Sequence, residues 1–91
     1  MKTAIYAMVT TKGDLCAGQT KDGKNWEKKT VVMIPVGDER PIAVDFFGEE
    51  RVKCVDAVSV GDRVLVKMDV WSREYDKRYY TQCDGYSIEK C

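Results

Sequence analysis

A small all-β barrel, five strands in Greek-key order with one short helix between the third and fourth, is the fold class that the sequence predicts. Three observations predict it. Apolar side chains recur with period two through most of the chain, the pattern of strands that bury one face. A single stretch, Glu49 to Ser59, changes to a spacing of three, with Val52, Val55 and Val58 in step. A length of 91 residues suffices for one hydrophobic core and no more, so a single domain over residues 1–91 is expected.

The first strand is expected from Thr3 to Thr11, where Ile5, Ala7 and Val9 share one face and Ala4, Tyr6 and Met8 the other. Lys12 to Asn25 follows, rich in Gly, Asp and Lys and poor in large apolar residues, which is loop composition. A loop of that length inside a compact domain is uncommon and tends to be functional, so it is a candidate binding arm. The second strand, Trp26 to Val36, sets Trp26, Lys28, Thr30, Val32 and Ile34 against Glu27, Lys29, Val31 and Met33. After the polar Gly37-Asp38-Glu39-Arg40, Pro41 opens the third strand, Pro41 to Gly48, at a position where its missing N–H does no harm. Its phase puts Ile42, Val44 and Phe46 inward and leaves Ala43, Asp45 and Phe47 outward.

Glu49 and Glu50 suit the positive end of a short helix, which is expected to end by Val60-Gly61-Asp62, where Gly61 can take a positive φ. Arg63 to Trp71 is the clearest strand, with Val64, Val66, Met68 and Val70 toward the core. Tyr75-Asp76-Lys77-Arg78 reads as a turn, and Lys77 to Lys90 as the last strand, with a bulge at Gly85 that returns Tyr86 and Ile88 to packing. Three strands, a short helix and a strand hairpin match a five-stranded barrel of the OB type better than an SH3-like barrel.

Composition narrows the function. Lys and Arg total 15, Asp and Glu total 15, and there is no His. No imidazole can serve as a general base, and Ser59, Ser72 and Ser87 have no activating neighbour, so a non-catalytic protein is expected. Cys16, Cys54, Cys83 and Cys91 form no close pair of the kind zinc sites use, so neither metal nor cofactor is expected and the thiols are read as reduced. No apolar run approaches the roughly 20 residues of a membrane span, and the first residues do not form a signal peptide. The expected location is the cytoplasm.

Three segments carry a family likeness. Ala43-Val44-Asp45-Phe46-Phe47-Gly48, followed beyond the helical segment by Val60-Gly61-Asp62-Arg63-Val64-Leu65-Val66, resembles the strand-helix-strand signature of bacterial single-stranded-DNA-binding proteins. Val70 to Thr81, with Ser72-Arg73-Glu74-Tyr75 and Arg78-Tyr79-Tyr80-Thr81, looks like their last hairpin. With Gly23-Lys24-Asn25-Trp26-Glu27-Lys28 as its opening, the chain is similar to a small OB-fold family of bacteria and their phages related to those proteins. The resemblance implies that Phe47 and Tyr75 stack bases, and that Trp26 offers a further platform. The chain ends at Glu89-Lys90-Cys91, without the acidic tail by which housekeeping members recruit partners, which implies a specialised or phage relative that only coats strands.

Single strands are bound by π-faces for the bases and cations for the phosphates, and both are interleaved here. Trp26, Phe47 and Tyr75 are the candidate platforms, and Lys24, Lys28, Arg73 and Arg78 the candidate phosphate contacts. Single-stranded DNA is the expected partner, with RNA not separable because stacking ignores the sugar. Self-association into a dimer or tetramer would join several grooves on one strand. The rival reading is a protein-interaction or structural OB domain whose exposed aromatics form a subunit interface.

Overall fold

The computed structural model describes residues 1–91. Its strands are β1 (Lys2–Lys12), β2 (Cys16–Gln19), β3 (Asn25–Pro35), β4 (Ile42–Phe47), β5 (Arg63–Tyr75) and β6 (Arg78–Lys90), with the helix α1 (Glu49–Asp56) between β4 and β5. β1 pairs with β5 over Lys2–Met8 and with β3 over Ala7–Lys12, holding both partners at Ala7 and Met8, and a bulge within the β1–β3 ladder leaves Thr10 unpaired. β3 pairs with β4, β5 with β6, and β4 with β6 in parallel, so five strands form a closed circuit. This is the predicted OB architecture, with β2 added as a sixth strand on the outer edge of β3.

The inward faces expected for β4 and β5 are inward, and in β1 and β3 the buried faces are those of Ala7 and Val9 and of Val31 and Met33. Ala7, Val9, Val31, Met33, Val44, Phe46, Val64, Val66, Met68 and Ile88 are buried in one cluster, with Ile5, Ile42 and Val70 packed against it. α1 closes one end of the barrel: Val52, Val55 and, just beyond the helix, Val58 are buried. Gly48 precedes α1 at φ 96°, a conformation that a side chain would strain. Glu49 and Glu50 occupy the first turn, where carboxylates complement the helix dipole.

Three boundaries and one bulge depart notably from expectation. Lys12 to Asn25 is not one long loop: Cys16–Gln19 pairs with Asn25–Lys28, leaving a tight turn closed by Thr20 N–H to the Lys24 carbonyl, 2.8 Å. The helix stops at Asp56, with Ala57 as its C-cap, and Val58 is carried inward by a following turn in which its N–H donates to the Val55 carbonyl, 3.2 Å. β5 runs on from Trp71 to Tyr75, because the β5–β6 hairpin projects as a two-stranded arm beyond the barrel. At the arm's tip Asp76 and Lys77 have φ of 51° and 61°, the two-residue turn whose twist suits a hairpin. The bulge near Gly85 is present, but Tyr86 is its unpaired residue and stays exposed while Ile88 packs. Gly85 itself lies where a Cβ would collide with the Phe46 ring.

Candidate nucleic-acid interface

The outer face of β3, β4 and the arm forms one surface. Strand alternation turns Trp26, Lys28 and Thr30 of β3 outward, and Asp45 and Phe47 of β4 beside them. Cross-strand register in the arm pairs Trp71 with Gln82, Arg73 with Tyr80 and Tyr75 with Arg78, and paired residues share a face. The other face of the arm carries Glu74 opposite Tyr79, and Ser72 with its hydroxyl 3.0 Å from that of Thr81.

Phe47 stands at the junction of two clefts. The first is lined by Ala17, Gly18, Asn25, Trp26, Phe47 and Gly48, among others. The second is lined by Lys28, Asp45, Phe47, Trp71, Arg73, Tyr80, Thr81, Gln82 and Asp84. A third, beside it on the arm, is bounded by Arg73, Glu74, Tyr75 and Tyr80. Trp26, Phe47, Lys28, Arg73 and Tyr75 are therefore brought onto one continuous track. Lys24, in the β2–β3 turn, and Arg78, at the arm tip, lie outside these three clefts, though Arg78 shares the face of its cross-strand partner Tyr75.

The platforms are held by identifiable means. Phe47 is 40% exposed at the end of β4, opposite Lys28 in register, and the Lys28 ammonium lies 5.7 Å from its ring centroid. The Gly48 N–H donates to the Glu27 carbonyl at 2.9 Å and fastens this end of β4 to β3. Trp26 faces Gly18 across the β2–β3 pair, close enough that a Cβ on Gly18 would meet the indole at 2.8 Å. Tyr75, at 72% exposure, has little covering it.

The middle of the track holds a hydrogen-bonded group that the sequence does not single out. Trp71 Nε1–H donates to Asp84 at 2.7 Å. The Gln82 amide donates to Asp84 at 2.8 Å and to Asp45 at 2.6 Å, and the Thr30 hydroxyl donates to the other Asp45 oxygen. The parallel β4–β6 pairing sets Asp45 opposite Asp84, and Gln82 separates the two charges. Beneath them, burial first and then the two carboxylates push the Cys83 thiol above its usual value, so it stays protonated near neutral pH. Tyr80, not Tyr79, faces the second cleft.

Two lysines of the basic stretch are engaged elsewhere. Lys29 Nζ lies 2.6 Å from Asp56 on the helix, and Lys12 Nζ donates to the Val58 carbonyl at 2.7 Å. Lys21, Lys24 and Lys28 make no ion pair within the chain. No helix is long and apolar enough to cross a membrane.

Residues 9–89 match the family described as a domain of unknown function, DUF3127. The chain belongs to this family. No curated protein matches the DUF3127 chain in sequence. Among solved structures it is similar to the second OB-fold domain of replication protein A from Methanococcus maripaludis, with TM-score 0.74 and 18% identity over 99% of this chain and 83% of that one. It is also similar to the mitochondrial single-stranded DNA binding protein Rim1 from S. cerevisiae, with TM-score 0.69 and 13% identity over 99% of this chain and 94% of that one. The SSB domain of a Synechococcus sp. protein gives TM-score 0.67 and 13% identity over 96% and 91% of the two chains. At these identities the likeness is one of fold, and the fold of this DUF3127 chain is the OB fold.

Proposed function

We propose that this chain is a non-catalytic single-stranded-DNA-binding module acting in replication, recombination or repair, as a dimer or tetramer. Trp26, Phe47 and Tyr75 are the base platforms, joined by Trp71 and Tyr80, and Lys24, Lys28, Arg73 and Arg78 meet the phosphates. The observation that carries this reading is Phe47, a large apolar ring left exposed on the outer wall of the barrel where two clefts meet, with an unpaired ammonium beside it. The single-strand-binding proteins and domains among its structural neighbours share the fold that presents such a wall.

The test is a titration of intrinsic Trp fluorescence with single-stranded oligonucleotides, beside duplex DNA of equal charge. Trp26 and Trp71 both stand on the track, so binding should quench their emission for the single strand alone. Four candidate cations at about 0.7 released counterions each predict a slope of log K against log salt no steeper than about −3 per protomer. Phe47→Ala and Tyr75→Ala should each weaken binding by about 1–3 kcal/mol. Tyr75→Ala, which removes a ring 72% exposed, should leave thermal stability nearly unchanged, whereas Phe47→Ala, which removes a ring more than half covered, should lower it modestly. Absence of any response at micromolar protein would overturn the proposal and move the aromatics to a subunit or partner interface. Competition between DNA and RNA oligonucleotides decides the sugar preference.

A further inference from the structure

We propose that the second cleft reads the edge of one base, and that it prefers a base bearing an amino group, cytosine foremost, over thymine. This rests on the single-strand-binding reading above and names the ligand chemistry of its central position. The cleft has aromatic walls, Phe47 on one side and Trp71 and Tyr80 on the other, which suits it to the face of a base. Between them lie three half-buried polar side chains, Asp45, Gln82 and Asp84.

Their hydrogen bonds decide what they offer. The Gln82 amide nitrogen is committed to both carboxylates, and only the NH₂ end of that side chain can face two anions. The amide orientation is therefore set, and its carbonyl oxygen accepts no hydrogen bond within the chain. Asp45 accepts from Thr30 and Gln82, and Asp84 accepts from Gln82 and Trp71. An ionised carboxylate has about four lone-pair sites, so each retains acceptor capacity. The floor of the cleft thus accepts and does not donate, while Lys28 and Arg73 at its margins donate and do not accept.

That division excludes a phosphate from the floor, because two carboxylates repel it. It fits the Watson–Crick edge of cytosine, whose amino group donates to the floor while N3 and O2 accept from a flanking cation; carboxylate acceptance from the cytosine amino group is a recognised pairing. Thymine presents carbonyl oxygens on both sides of a single N–H and sets lone pairs against the carboxylates. Unstacked bases in single strands are the ones whose edges proteins can reach.

The experiment is fluorescence anisotropy with labelled homo-oligonucleotides of about 16 nucleotides, the upper end of one OB fold's site, at mildly alkaline pH where cytosine is unprotonated. We expect oligo-dC to bind roughly tenfold more tightly than oligo-dT, the size of one good base-edge contact. Substituting N4,N4-dimethylcytosine, which stacks but cannot donate, should bring affinity down to the oligo-dT level. Asp84→Asn and Asp45→Asn should move the dC to dT ratio toward one while strengthening oligo-dT binding as repulsion is relieved. If both variants instead weaken every oligonucleotide alike, the carboxylates merely support the fold of the cleft and the proposal is overturned. Equal wild-type affinity for oligo-dC and oligo-dT overturns the preference and leaves strand binding standing, whereas no binding to either overturns both. The wild-type comparison does not depend on the variants folding.

Discussion

At the scale of single residues, the pairing of Lys29 with Asp56 shows how a cation that looks available in the sequence can be withdrawn from a ligand. Lys29 belongs to the basic stretch that precedes the core of β3, yet its ammonium reaches back to the helix, 2.6 Å from Asp56. The hydrogen bond from Lys29, helped by the charges of Lys29 and Lys12 and opposed by desolvation, holds the Asp56 carboxyl below its usual value of 3.8. A carboxylate whose pKa is depressed by folding stabilises the folded state above its unfolded value, and that stability is lost as pH falls through the folded value. Asp56→Asn should therefore unfold at lower urea than the wild type at neutral pH. The gap should narrow below about pH 4 and close once the wild-type carboxyl is protonated.

At the scale of elements, β2 is an edge strand with no buried side chain, held by its pairing with β3 and by the seat that Gly18 gives Trp26. Gly18→Val should displace the indole, shift the Trp emission and weaken strand binding, with little change in melting temperature because no core residue moves. The same facts explain why β2 was hidden in the sequence: Cys16-Ala17-Gly18-Gln19 buries nothing, so it has no alternation to display, and only the partner strand makes it a strand. Phe47 was legible for the opposite reason, since the burial of Val44 and Phe46 fixes the phase of β4 and forces Phe47 outward. The arm has no buried face to set its phase, so alternation separates Tyr79 from Tyr80 without saying which of them meets the cleft, and only the register assigns Tyr80 to it. Nor could the Asp45–Gln82–Asp84 group be seen, because it is assembled by the parallel contact of β4 and β6, strands far apart in the chain.

At the scale of the whole molecule, a chain with no net charge attracts a polyanion only through the arrangement of its charges, and the barrel's closure decides that arrangement. The circuit closes between β4 and β6 through only two residue pairs, Asp45 with Asp84 and Phe46 with Gly85, while β5 and β6 are paired along nearly their full length. This narrow clasp lies directly beneath the candidate base-reading cleft. In the free protein, backbone amides at the clasp should exchange with deuterium sooner than those of Val66 and Ile88, since a short pairing opens at lower cost than a long one. A ligand laid from Phe47 to Tyr80 spans the clasp, and if it holds only the shut form it must slow that exchange by mass action. On that expectation the barrel would breathe at the place where it would grip, and occupancy would fasten it.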